Sequence, residues 1–415
     1  MFRSLKALTA RSSTPSPTDA PKVQVMDEAS VFYDAGQLNI PVAKPGPEDR
    51  TSRQMIERGR HLARQDLWTQ LSDEMRAADE ARKKAPCGQP IADLLAFGAR
   101  ADVVLAVEQA LADGVAFVDY DLLCGISELE TELMDHPDDP MIGLVVALAH
   151  IDLAWAWRGT TRDATAQPQH WSRCAAHFDR AAALLPKCRA AAPDSPAVAA
   201  AECALLAGQS RRHAQVAKKY EALISLDPQN HRHMRAMGSH LLPRWFGSYQ
   251  ELELQALRHA ALTHDVWGAG GYTWVQFDAI ALDPEACARV DVDYFLDGLR
   301  DIVARRPDQQ MINLLAAYCA ITIQKGLGRS EAADLVRAEL RAAADWLIRD
   351  HMTELHPLIW AHAADGFNNS VRIPSAERFA ARGHRDALQA IADLFRDELR
   401  SGQSITFTPS GLQFS

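Results

Sequence analysis

The chain has 415 residues, room for one large domain or two to three ordinary ones, and 47% are hydrophobic against 24% charged, as in a soluble globular protein. Its 44 Lys and Arg face 54 Asp and Glu, a net charge of −10 that argues against a nucleic-acid binder, which needs a basic patch to neutralise phosphates. Seven cysteines, an odd number with no Cys-x-x-Cys pair, argue against a disulfide framework and read as reduced thiols of a cytoplasmic protein.

Residues 1–50 read as a disordered N-terminal arm and linker. Met1–Arg11 carries Arg3, Lys6 and Arg11 with no acid before Asp19, and Phe2, Leu5 and Leu8 share one short helical face. It lacks the apolar core of a secretory signal, which leaves a solvated tail, a transit peptide or a membrane-touching anchor. Ser12–Pro21 is rich in Ser, Thr and Pro, and Pro41–Pro47 is a further proline-rich linker, so the solvated tail is favoured.

Residues 51–136 read as an N-terminal helical region. Trp68, Leu71, Met75 and Ala78 step at three- and four-residue intervals, the mark of an amphipathic helix. Pro86-Cys87-Gly88-Gln89-Pro90 breaks it, and further helices are predicted over Ile91–Ala112 and Asp121–Asp135. The apolar run Met141–Trp157, interrupted by His150 and Asp152, is shorter than the ~20 residues a bilayer demands. It reads as a helix buried on most sides, and no transmembrane segment is expected. Helices continue through Leu296–Ala304, Met311–Gln324 and the stripe Val336, Leu340, Ala343, Leu347. Leu388, Ile391, Ala392, Phe395 and Leu399 form one last stripe. Residues 401–415 are a C-terminal tail in which Ile405–Thr408 is either a short strand or a docked segment. Sustained alternation is missing, so no substantial sheet is expected.

Residues 137–400 carry the most regular punctuation. Asp139-Pro140, Ser195-Pro196, Asp227-Pro228 and Asp283-Pro284 each read as a helix cap followed by a first-turn proline. Pro228 follows Pro140, and Pro284 follows Pro196, by 88 residues, and Trp245–Ser248 follows Trp157–Thr160 by the same offset. Fixed-period similarity points to stacked repeats. Between Tyr220 and Glu251, Pro243 ends a helix and Gly247 offers the positive φ of a sharp corner. Ser248 and Glu251 fit a capping box. Tyr220–Asn230 resembles the second half of a tetratricopeptide repeat. Leu242-Pro243-Arg244-Trp245-Phe246-Gly247-Ser248 resembles the Pro-Arg-Trp-Gly-Gly-Ser corner of a bacterial tetratricopeptide-like domain of unknown function, with Phe246 in place of the first Gly. The resemblance covers about Ile142–Leu282 and implies an α-helical repeat fold but no reaction.

Candidate chemistry is sparse. His231 and His233 stand two apart and would point away from each other on a helix, while His240, His259 and His264 follow. His351, Glu354 and His356 come near the two zincin patterns and match neither. Gly268–Gly271 begins like a dinucleotide fingerprint, but Thr273 replaces its third glycine. Asp291, Asp293 and Asp297 read as helix-start acids rather than a calcium loop, because Phe295 stands where an oxygen ligand belongs. Arg244, Trp245 and Tyr249 form the best binding cluster, since Trp and Arg combine large contact area with directed hydrogen bonds. The expectation is therefore an all-α, tetratricopeptide-like right-handed solenoid of antiparallel helix pairs. It would act as a non-enzymatic scaffold for a protein or peptide ligand, with no cofactor. The alternative is a metal-dependent hydrolase with a histidine-based site between helices.

Overall fold

The computed structural model describes residues 36–43, 47–113, 120–159, 168–208, 213–245, 247–366 and 375–415. The first part holds α1 (Pro47–Arg64), α2 (Trp68–Glu80), α3 (Ile91–Ala112), α4 (Tyr120–Asp135), α5 (Pro140–Gly159), α6 (Pro168–Ala191) and α7 (Pro196–Leu206). There follow α8 (His213–Leu226), α9 (His231–His240), α10 (Tyr249–Leu262), α11 (His264–Trp267), α12 (Gly270–Leu282) and α13 (Pro284–Arg289). The last are α14 (Val292–Arg305), α15 (Gln309–Ala320), α16 (Glu331–Trp346), α17 (Pro357–Ala364), α18 (Ala376–Leu394) and α19 (Arg396–Arg400). The protein is predominantly helical, as its sequence periodicity predicts.

Two apolar cores organise these helices. In the first, α1 packs on α3, α3 on α5 and α5 on α6. The apolar run Met141–Trp157 lies inside α5, which has the length to cross a bilayer but is mostly buried in protein. The second core centres on α12, packed by α9, α10 and α14. Helix α12 is largely apolar, and Tyr272, Trp274 and Phe277 are fully buried, as expected for a helix with neighbours on most sides. Gly238 lets α9 approach closely: a Cβ there would stand 1.8 Å from the Val275 carbonyl oxygen.

Helix α7 belongs to both cores. Ala197, Val198, Ala201 and Leu205 face the first, and Ala199, Cys203 and Leu206 face the second. Its sequence is apolar apart from Glu202, which pairs with Arg189 and Lys219 on the one partly open side. A polar seam runs beside it. Lys84 Nζ meets Asp227 Oδ1 at 2.7 Å, with the Asp227 side chain only 6% exposed. Arg82 donates to Leu226 O at 3.1 Å and Asp194 O at 2.9 Å, and Arg232 to Cys87 O at 3.2 Å. The Asp79 carboxylate accepts from Ala197 N at 3.1 Å, and its burial raises the carboxyl above the usual range. The loop between α2 and α3, carrying the Pro86–Pro90 breaker, is thus bonded to the turns that flank α7 and α8.

The caps follow the sequence with one exception. Asp139 accepts from Met141 N and Ile142 N, Ser195 from Val198 N, and Asp283 from Glu285 N and Ala286 N. Asp291 accepts from Tyr294 N, as a helix-start acid should. Asp227 caps nothing. The cap of α9 is Asn230, and Asp227 is turned to Lys84 instead, so the Asp139 and Asp227 members of the 88-residue offset differ in role.

Three further expectations change. The last stripe is split: α18 ends at Leu394, and Phe395 separates it from α19. The segment after α15 tightens into a 3-10 turn over Thr322–Gly326. A small sheet also forms, from β1 (Leu38–Asn39), β2 (Ile405–Thr408) and β3 (Gly411–Phe414). Strand β1 is parallel to β2, with Leu38 opposite Ile405, and β2 is antiparallel to β3. Residues 36–43 of the expected arm are therefore held, with Leu355 N donating to Pro41 O and Ala43 N to Leu355 O, each at 2.8 Å. Proline is tolerated there because only its carbonyl is needed. Residues 1–35 lie outside the described residues.

Candidate functional site

The turn after α9 builds the site. Leu241 and Leu242 are buried, and Pro243 opens a 3-10 turn, Pro243–Trp245, closed by Trp245 N and Gly247 N donating to Leu242 O. Gly247 does not occupy the left-handed region. It is needed for close approach instead: a Cβ would lie 2.0 Å from Leu241 O. Ser248 then caps α10 by accepting from Glu251 N at 3.1 Å, while the Glu251 carboxylate turns along the helix to Gln255 Nε2. The corner fixes the Trp245 backbone within a few residues of two buried leucines.

Trp245 projects from this corner onto α5. Its ring meets Trp155 edge-on, centroids 6.2 Å apart, and His240 edge-on at the same distance. Trp155 in turn meets Phe178 of α6 edge-on at 5.7 Å. His240 Nδ1 lies 2.8 Å from the buried Tyr220 hydroxyl. Burial lowers His240 to about 4, with Arg244 adding to the effect. Phe178, Trp155, Trp245, His240 and Tyr220 thus form an aromatic run from the first core to the second.

Arginines dress the open side. The Arg158 guanidinium lies 5.0 Å from the Trp155 ring and 5.5 Å from the Trp245 ring. Arg244, exposed, lies 6.0 Å from Trp245. Trp155, Arg158 and Trp245 are half-buried. Among the described residues no carboxylate pairs with Arg244. Such stacking holds a guanidinium by its face, and the exposed Arg244 can present its edge to planar anions.

The structure brings Arg244 and Trp245 together and sends Tyr249 elsewhere. Tyr249 donates to Asp283, 3.2 Å away, under the Arg289 guanidinium. The other histidines scatter. His231 stacks on Trp274 at 4.3 Å, His233 contacts Asn230 at 3.1 Å, and His259 Nδ1 reaches Gln255 O. His351 lies edge-on to Trp346, and His356 Nε2 meets Glu354 Oε1 at 3.0 Å. Pro357 begins α17, and Leu355 just before it is bridged to Val42. Among the described residues no three His, Cys, Asp or Glu side chains gather as metal ligands would.

Sequence reasoning missed Trp155 and Arg158, hidden in an apolar run that reads as core. It also missed a half-buried relay between α4, α5 and α6. Arg180 clamps Glu130 and holds its carboxyl below the usual range. Glu130 Oε1 lies 2.9 Å from His150 Nε2, and His150 Nδ1 lies 2.8 Å from His177 Nδ1. Helical spacing alone cannot show that contact, because the partners come from three helices.

Fold and site together define a helical protein with an aromatic, cationic corner. No family model matches the chain, no curated protein matches it, and no solved structure matches it. The tetratricopeptide resemblance therefore rests on the residues that carry it.

Proposed function

We propose that the protein is a non-enzymatic helical-repeat scaffold of the tetratricopeptide kind, a right-handed solenoid of antiparallel helix pairs, whose corner binds an acidic peptide segment of a partner protein. One observation carries the reading: Arg158 lies over both Trp155 and Trp245 while Arg244 stands exposed beside them. Trp and Arg dominate binding hot spots because they unite large area with directed hydrogen bonds. Carboxylates suit a guanidinium fork. On a chain of net charge −10, a local cationic corner also selects against most of its own surface. The reading invokes no cofactor. Seven free thiols support a reducing, cytoplasmic setting.

The test is anisotropy of labelled peptides pairing Glu with Phe or Tyr, against the same peptides with Gln for Glu. Arg244→Ala/Trp245→Ala is expected to weaken binding of the acidic series at least tenfold, about 1.4 kcal/mol. Equal binding of both series, or indifference to the double substitution, would make the corner purely architectural. Capture from the native host with the same control then identifies the partner.

A further inference from the structure

Between α16 and α18 lies an open groove of about 670 Å3. That volume falls within the ~300–1,000 Å3 of ligand-binding clefts. Its walls are two helix faces. Ala338, Arg341, Ala342 and Asp345 line it from α16, and Asp386, Gln389, Ala390 and Asp393 from α18. Spacings of three and four residues place each set on one stripe. Leu327, 50% exposed, and Leu394 add apolar surface to its lining.

Two observations say what covers it. The first is where the described chain begins. Gln37 donates to Leu399 O at 3.2 Å. Arg349 connects that helix to the groove, pairing with Glu398 at 2.8 Å and Asp345 at 2.7 Å and donating to Leu394 O at 3.4 Å. Asp345 and Leu394 are groove residues. Gln37 thus sits within a few side-chain lengths of the mouth, with residues 1–35 preceding it. Residues 12–35 alone can span up to about 80 Å, far more than the approach requires.

The second observation is chemical. Residues 1–11 present Phe2, Leu5 and Leu8 at three-residue intervals, with Arg3, Lys6 and Arg11 and no acid. The groove offers alanines and leucines to the apolar positions and, on its α18 wall, Asp386 and Asp393 to the cations, Asp393 being shared with Arg396 at 3.5 Å and Gln389 at 3.1 Å. Among the described residues no hydrogen bond or ion pair engages Asp386. Arg341, exposed on the opposite wall, sets the orientation, because it repels the cations towards α18. We propose that the groove between α16 and α18 is the docking site of the chain's own N-terminal segment, residues 2–11, with Lys6 directed at Asp386 and Asp393.

Zero-length carbodiimide coupling of the full chain tests this, because it joins an amine to a carboxylate only where they touch. Lys6 is expected to couple to Asp386 or Asp393 within one chain, and Asp386→Asn/Asp393→Asn to remove the adduct. Phe2→Asp/Leu5→Asp/Leu8→Asp alters none of the packed helices. It is expected to abolish the adduct and to quicken amide exchange over residues 386–394 about tenfold, as loss of a contact worth about 1.4 kcal/mol would. Mixed isotope-labelled chains distinguish the occupants: adducts between chains would assign the groove to a second copy and overturn the proposal. Absence of any Lys6 adduct, with exchange unchanged in the triple variant, overturns it equally. The corner at Trp245 is not involved, so this outcome is independent of the peptide-binding reading.

Discussion

The two cores meet through α7 and at two further places, the polar seam and the aromatic corner, and these solve the same problem in opposite ways. The seam is buried and charged: Lys84 is fixed to Asp227, and Arg82 and Arg232 are spent on carbonyl oxygens. The corner is half-open and aromatic, with Trp245 leaning on Trp155 and Arg244 left at the surface. A seam whose cations are tied to a carboxylate or to carbonyl oxygens holds parts together and offers little to a ligand. A corner with one exposed, stacked cation holds less and offers more.

The sharpest break in that contrast is Asp227→Ala, which strands a largely buried ammonium. Removing one partner of a buried pair costs about 3–5 kcal/mol, so the urea midpoint should fall steeply. The double variant Lys84→Met/Asp227→Leu should recover much of the loss, because no charge is then left unpaired. Trp155→Ala comes next at about 2 kcal/mol, less than the ~3–5 of a fully buried tryptophan because the ring is half-buried. An equal loss for both would erase the distinction between seam and corner.

Acidification probes both places at once. Burial holds His233 in the seam, His240 in the corner and His177 in the relay down to about 4, against 6.5 for free imidazole. Unfolded imidazoles take protons as pH drops below 6.5, whereas the folded ones wait until about 4. Their contribution is full above 6.5 and lost as pH falls toward 4. Asp93 has the opposite sign. Burial raises it from 3.8 to about 6, so its contribution is full below 3.8 and lost as pH rises through 6. Three imidazoles outweigh one carboxyl, and denaturation midpoints should decline from pH 6.5 to pH 4.5. His233→Asn and His240→Gln should each flatten that slope by about one proton.

The smallest effect is Arg244→Ala. As an exposed side chain it should change stability by less than about 0.5 kcal/mol while weakening acidic-peptide binding. That dissociation of stability from affinity would separate the corner from the seam most cleanly.

Local order was legible in the sequence, and long-range pairing was not. Helix α3 spans Ile91–Ala112 as the breaker before it implies, and Trp68, Leu71, Met75 and Ala78 are all buried. These features depend on neighbours within a turn or two. Asp227 misled, because the signature of a cap, an acid before proline, is blind to a lysine 143 residues away. The corner was half legible. Pro243 and Gly247 mark a bend that presents Trp245, whereas Trp155 and Arg158 share a helix whose other faces are core. Gly247 was assigned to the right place for a different reason, since close approach to Leu241 O, not backbone sign, demands it.

Strand β1 has a consequence for synthesis. Leu38 is made 367 residues before its partner Ile405. Until Ile405 is made that edge lacks its partner strand, and any product terminated before Ile405 keeps it bare. Closure of the sheet thus waits until α1–α19, which lie between the two strands, have all been made, and a quality-control factor that recognises unpaired strands would find one on each copy truncated before Ile405.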